Sequence, residues 1–103
     1  MRRGEIWWAK MPAPVGRRPV VLLSRDEMYA VRNQVTVAVV TAHIRGIPVE
    51  VKLGAADEMK QPCVIDLGTL QTIPMKYLDV RISALSQGKI SEMDAAIRFS
   101  LNL

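Results

Sequence analysis

Arg17 and Arg18 stand side by side immediately after Gly16 and before the run Pro19-Val20-Val21-Leu22-Leu23-Ser24. An arginine offers a planar fork of donors that fits a phosphate bidentately, and a buried strand behind it gives that fork a rigid support. Taken alone, such a pair is more often a solvated charge pair on a loop. Thr41-Ala42-His43-Ile44-Arg45 repeats the arrangement, a polar segment following a valine-rich run. Phosphodiester cleavage in which RNA's own 2′-hydroxyl attacks needs a neutralised phosphate and proton transfer, which Arg, Thr, Asp, Glu or Lys at strand ends can supply. Other chemistries are excluded by what is missing. The sequence holds one histidine, His43, so a two-histidine ribonuclease mechanism is ruled out. With one cysteine, Cys63, an internal disulfide is impossible, and with no Cys/His set at zinc spacing a metal cluster is not expected; nothing in the sequence calls for a cofactor. No glycine-rich phosphate loop is present.

Trp7 and Trp8 are adjacent on what reads as a strand, so they face opposite sides. One belongs to the core or a protein contact; the other, if exposed, can stack on an unpaired base.

The elements that must position these residues follow from periodicity. Glu5 to Lys10 reads as a first strand opened by Gly4, and Met11 to Gly16 breaks it with two prolines and a glycine. Pro19 to Ser24 is continuously apolar, the pattern of a strand covered on both faces. Asp26 to Val31 predicts a short helical turn with Ser24 or Asp26 as its N-cap. Gln34 to Thr41 is the strongest strand signal, with Val35, Val37 and Val39 on one face, and Pro48 to Leu53 alternates in the same way. Cys63 to Ile65 continues through Leu67 to Ile73. The period then changes: Ile90, Met93, Ile97 and Leu101 would line one face of a terminal helix capped by Ser86 or Ser91. Several short strands and one helix imply a mainly β fold, a small barrel or strongly bent sheet with the helix packed on it. The 103 residues suit a single domain spanning 1–103. No apolar run approaches the roughly 20 residues of a membrane span, and the lack of disulfide potential points to a reducing cytoplasm. The net charge of +4, concentrated in the first half, favours an anionic partner such as nucleic acid.

Together, Arg3-Gly4-Glu5-Ile6-Trp7, Arg18-Pro19-Val20-Val21-Leu22-Leu23-Ser24, Val37-Ala38-Val39-Val40-Thr41, Thr72-Ile73, Leu85-Ser86 and the terminal Leu101-Asn102-Leu103 resemble, in order and along the whole chain, the MazF/PemK/Kid toxins. The resemblance implies an SH3-like β-barrel and a cytoplasmic homodimer. It further implies metal-independent cleavage of single-stranded RNA to a 2′,3′-cyclic phosphate and a 5′-hydroxyl, and neutralisation by a MazE-like antitoxin whose acidic tail fills the RNA groove. It places the catalytic arginine on Arg18 and the catalytic threonine on Thr41, and makes Arg17, His43, Arg45, Thr69 and Gln71 candidates for holding RNA. The chain departs from the pattern twice. The segment before Arg18 is short and lacks an acid, and Gly68 stands where relatives often carry one. Asp66, two residues earlier and on the same strand face, is the candidate substitute. Two other readings stay open: a non-catalytic RNA binder on the same fold, and a gyrase poison of the CcdB kind.

Overall fold

A computed structural model describes residues 1–103. The strands are β1 (Glu5–Lys10), β2 (Arg17–Leu22), β3 (Gln34–Thr41), β4 (Glu50–Leu53), β5 (Cys63–Pro74) and β6 (Leu78–Ala84), and one helix, α1 (Gln87–Leu101), ends the chain. They form a six-stranded sheet in the order β4-β5-β3-β2-β1-β6 with every pair antiparallel. The sheet curls into a half-barrel with α1 against it, which is the mainly β, SH3-like arrangement expected; edges β4 and β6 do not pair.

Both faces of the central strands are apolar, as the unbroken run in β2 requires. On the helix side, Ile6, Val21, Ala38, Val40, Ile65 and Leu67 pack with Met93 and Ala96 of α1. On the far side, Ala9, Val20, Leu22, Val35, Val37 and Ile73 pack beneath Trp7, Tyr29, Tyr77 and Leu78. Gly4 lets α1 approach: a Cβ there would lie 2.9 Å from Ile90 Cδ1.

Several sequence expectations need correction. The turn after β2 is a 3-10 helix, Asp26–Ala30, whose N-cap is Arg25 with no side-chain cap. Ser24 is unavailable as a cap because its hydroxyl accepts the Thr36 amide at 2.9 Å. β2 begins at Arg17, where Arg17 pairs with Lys10, and not at Pro19. β4 begins at Glu50, because the Glu50 amide closes a turn on the Ile47 carbonyl (3.0 Å). Of the two proposed caps on α1, Ser86 is used, accepting the Lys89 amide at 3.2 Å. The buried face of α1 is Met93 and Ala96, flanked by Ile90 and Ile97, whereas Leu101 is half-exposed. β6 is not among the expected strands, although Leu78, Val80 and Ile82 alternate with Asp79, Arg81 and Ser83. It is an edge strand in which only Ser83 is buried, and the irregular register opposite Trp8 leaves Leu78 packed on the far-side cluster and Ile82 on the helix-side one.

Candidate functional site: a basic groove at the strand ends

The β1–β2 turn delivers the arginine pair. Met11 donates its amide to the Gly16 carbonyl at 3.1 Å, and Gly16 takes φ +72 directly before Arg17. A Cβ at Gly16 would meet nothing, so conformation and not space requires glycine there. From Arg17 onward the strand alternates. Val21 faces the helix side and Val20 the far side, which assigns Arg17 and Pro19 to the first and Arg18 to the second.

Val20 lies opposite Val39, so continuing the β2–β3 register two residues brings Arg18 level with Thr41. Thr41 in turn lies opposite Val64, and Val64 opposite Lys52. Arg18, Thr41 and Lys52 therefore share one row on the far face. The next row holds Val39, Asp66 and Glu50. Asp66 is thus on the same face as Arg18 and Thr41, with its Cα roughly 12 Å from that of Arg18 at ordinary strand spacings.

Thr41 is already oriented. Its Oγ1 accepts the His43 amide at 3.1 Å, which leaves its own O–H free to donate. Glu50 pins the following loop by accepting the Arg45 and Gly46 amides at 3.0 and 2.9 Å. Asp66 Oδ1 accepts the Gly68 amide at 2.9 Å, and Oδ2 carries no hydrogen bond.

The groove at this end of the half-barrel encloses about 520 Å³. Trp8, Arg17, Arg18, Pro19, Thr41 and Cys63 line it, together with a wall from the segment before β5: Glu58, Met59, Lys60 and Gln61. The structure thus brings Arg17, Arg18 and Thr41 together. Asp66 is not among the lining residues; His43 and Arg45 lie outside the groove, on the exposed loop after β3, and Thr69 and Gln71 lie outside it on exposed positions of β5. The sequence reading missed Glu58, Lys60 and Gln61, which occupy a loop with no periodicity. Glu58 takes φ 64, and that left-handed backbone at a non-glycine residue has no signature in the sequence. Burial, with help from nearby Asp57, pushes the Cys63 thiol up, so it lines the groove as a protonated apolar group and not as a nucleophile. The tryptophans divide as alternation requires. Trp7 packs on the far-side cluster and donates Nε1–H to Glu5 Oε1 at 3.0 Å, while Trp8 faces the groove.

Comparison with known proteins gives this geometry a family. The model of a family described as PemK-like, MazF-like toxin of type II toxin-antitoxin system matches residues 2–101. The chain is 34% identical over 101 residues to "Probable endoribonuclease MazF2" of Mycobacterium tuberculosis, covering 97% of each. Its fold superposes on "Mycobacterium tuberculosis toxin MazF-mt6" with a TM-score of 0.89 at 30% identity, covering 96% of this chain and 97% of that one. A mycobacterial structure described as an endoribonuclease in complex with its cognate antitoxin shares the fold with a TM-score of 0.88 at 17% identity, over 100% and 96% of the two chains.

Proposed function

Since the chain belongs to the PemK-like, MazF-like toxins of type II toxin–antitoxin systems, we propose that it is a metal-independent endoribonuclease that cuts single-stranded RNA in the groove at the strand ends. The observation that carries this reading is that Arg18 and Thr41, at neighbouring strand ends, line one groove with Arg17 and Lys60.

The scissile phosphate lies on the row formed by Arg18 and Thr41. The RNA 2′-oxygen bonds to phosphorus as the bond to the 5′-oxygen breaks, which leaves a 2′,3′-cyclic phosphate and a 5′-hydroxyl. Charge builds on the non-bridging oxygens during this step. The guanidinium of Arg18, positively charged and forked, stabilises it. Thr41 donates its free O–H to one of the same oxygens. The Asp66 carboxylate, whose Oδ2 is uncommitted, is the base proposed to accept the 2′-proton. Water supplies the proton that leaves on the 5′-oxygen. His43, Arg45, Thr69 and Gln71 flank the groove and hold the RNA on either side of the cut.

The whole of residues 1–103 acts as one toxin domain in a cytoplasmic homodimer. Its antitoxin is a MazE-like protein whose extended acidic tail lies in the same basic groove and so competes with RNA. No helix is long and apolar enough to cross a membrane. Gly68, where relatives often carry an acid, favours a second reading: an RNA-binding homologue with weakened chemistry. Incubating the protein with a mixed single-stranded RNA in EDTA separates the two. Cleavage with cyclic-phosphate ends supports the nuclease, and binding without cleavage supports the weakened form.

A further inference from the structure

Arg17 is held in a way that phosphate binding does not explain. In the β1–β2 ladder Trp8 lies opposite Pro19 and Lys10 opposite Arg17, so Arg17 is the diagonal neighbour of Trp8 on the same face. Its guanidinium carbon lies over the indole ring, 4.4 Å from the centroid. On the other side of β1 the ladder to β6 is irregular. Trp7 lies opposite Arg81 and Ala9 opposite Leu78, so Asp79 and Val80 together face the single residue Trp8. Such a bulge re-aims a side chain. Here it brings Asp79 Oδ2 to 3.4 Å from Arg17 Nη2. A stacked ring on one side and a carboxylate at the edge fix the plane of the guanidinium.

Two consequences follow. Asp79 offsets the charge of Arg17, which makes it a weaker phosphate anchor than Arg18 or Lys60, neither of which has an ion-pair partner. Arg17 also occupies the face of Trp8 on which a base would otherwise lie, while its own side chain stays half-exposed in the groove. Nucleobases stack on arginine planes as they do on aromatic rings.

We propose that Arg17 is a base platform: one unpaired base of the RNA stacks on the Arg17 guanidinium, completing a three-layer stack with Trp8 and fixing where along the strand the cut falls. Purines, with the larger stacking surface, are preferred there. The proposal rests on the reading of the groove as an RNA site. It divides the arginine pair, with Arg18 on the phosphate and Arg17 on a base.

The test uses a single-stranded RNA that the wild-type protein cuts, remade with 2′-deoxyribose at the cut so that it binds without reacting. A set of such oligonucleotides, each lacking one base, is titrated by fluorescence anisotropy against wild type, Arg17→Ala, Arg17→Lys and Lys60→Ala. One abasic position is expected to weaken wild-type binding about tenfold or more, the scale of a lost stack. The same position should cost no more than about twofold in Arg17→Ala and in Arg17→Lys, because an ammonium has no plane to stack on. Removing Lys60 should flatten the salt dependence by about 0.7 in log–log slope, the value for one single-strand phosphate contact, and removing Arg17 should leave the slope unchanged. Restoration of wild-type behaviour by Arg17→Lys, or a slope lost in Arg17→Ala as in Lys60→Ala, would make Arg17 a phosphate contact and overturn the proposal. So would cleavage by wild type with no base position coupled to Arg17, an outcome that leaves the nuclease reading intact. A wild-type protein that neither cuts nor binds any of these RNAs removes both.

Discussion

Arg18 stabilises charge that exists only while the phosphodiester is breaking, and it sits at a strand end where it makes no ion pair. Arg18→Ala should therefore lower the cleavage rate by about two to three powers of ten, the usual loss of one charge-stabilising donor. Its melting temperature should stay within a degree or two of wild type, because an exposed charge at a strand end contributes little to stability. Arg18→Lys should recover only part of the rate. Asp66→Asn provides a clean test of the proposed base. An asparagine oxygen can still accept the Gly68 amide, so the local fold is kept while proton acceptance is lost. Its cleavage should fall by about a hundredfold. Gly68→Asp, which adds the acid that relatives carry, is not a simple rescue. Its Cβ would stand 3.2 Å from both Asp66 Oδ1 and Val49 Cγ2, and its carboxylate would crowd a second one. A lowered melting temperature is the expected outcome. At this scale the roles proposed for Arg18 and Thr41 came from the family resemblance, while their positions at strand ends were legible because one opens and the other closes an apolar run. The Glu58–Gln61 wall was not, because its placement depends on a left-handed backbone at Glu58 that no local pattern announces.

The elements that carry the site are locked by a polar seam as well as by packing. Glu5 of β1 accepts from Trp7 Nε1 at 3.0 Å and from the Arg2 amide at 3.0 Å, and Arg81 of β6 reaches its other oxygen at 3.1 Å. Burial pushes the Glu5 carboxyl up, but the hydrogen bonds from Trp7, Arg2 and Arg81 outweigh it and leave its pKa lowered. A lowered folded-state pKa means that the stability due to Glu5 is present above the ordinary glutamate range. It is lost as pH falls through the depressed value. Wild type should therefore exceed Glu5→Gln in stability at pH 7 and converge on it below about pH 4. Paired urea melts across pH measure this, and a constant gap down to pH 2 would contradict it. β1 and β3 were readable to their end residues because period-2 alternation and β-branched runs are local signals. β6 carries the same kind of alternation, Leu78, Val80 and Ile82 against Asp79, Arg81 and Ser83. Val80 is exposed, however, and the bulge opposite Trp8 splits Leu78 and Ile82 between the two clusters, so its place at the sheet edge depends on its pairing with β1.

For the whole molecule, the charge of +4 and the placing of Arg18 and Lys60, both without an ion-pair partner, at one groove predict that RNA binding weakens steeply between low and physiological salt. Anisotropy titrations at several salt concentrations check this, and a flat response would exclude a phosphate groove. The proposed homodimer should sediment as twice 11.5 kDa at micromolar concentration, whereas a monomer there would contradict it. The central claim, that this toxin-family groove cuts RNA without a metal, is tested most directly by digesting mixed single-stranded RNA in EDTA with wild type and Arg18→Ala in parallel and analysing the new ends. The account predicts fragments from wild type alone, with 2′,3′-cyclic phosphate on one side of each cut and 5′-hydroxyl on the other. Intact RNA with wild type, cleavage that EDTA abolishes, or equal cleavage by Arg18→Ala would contradict it.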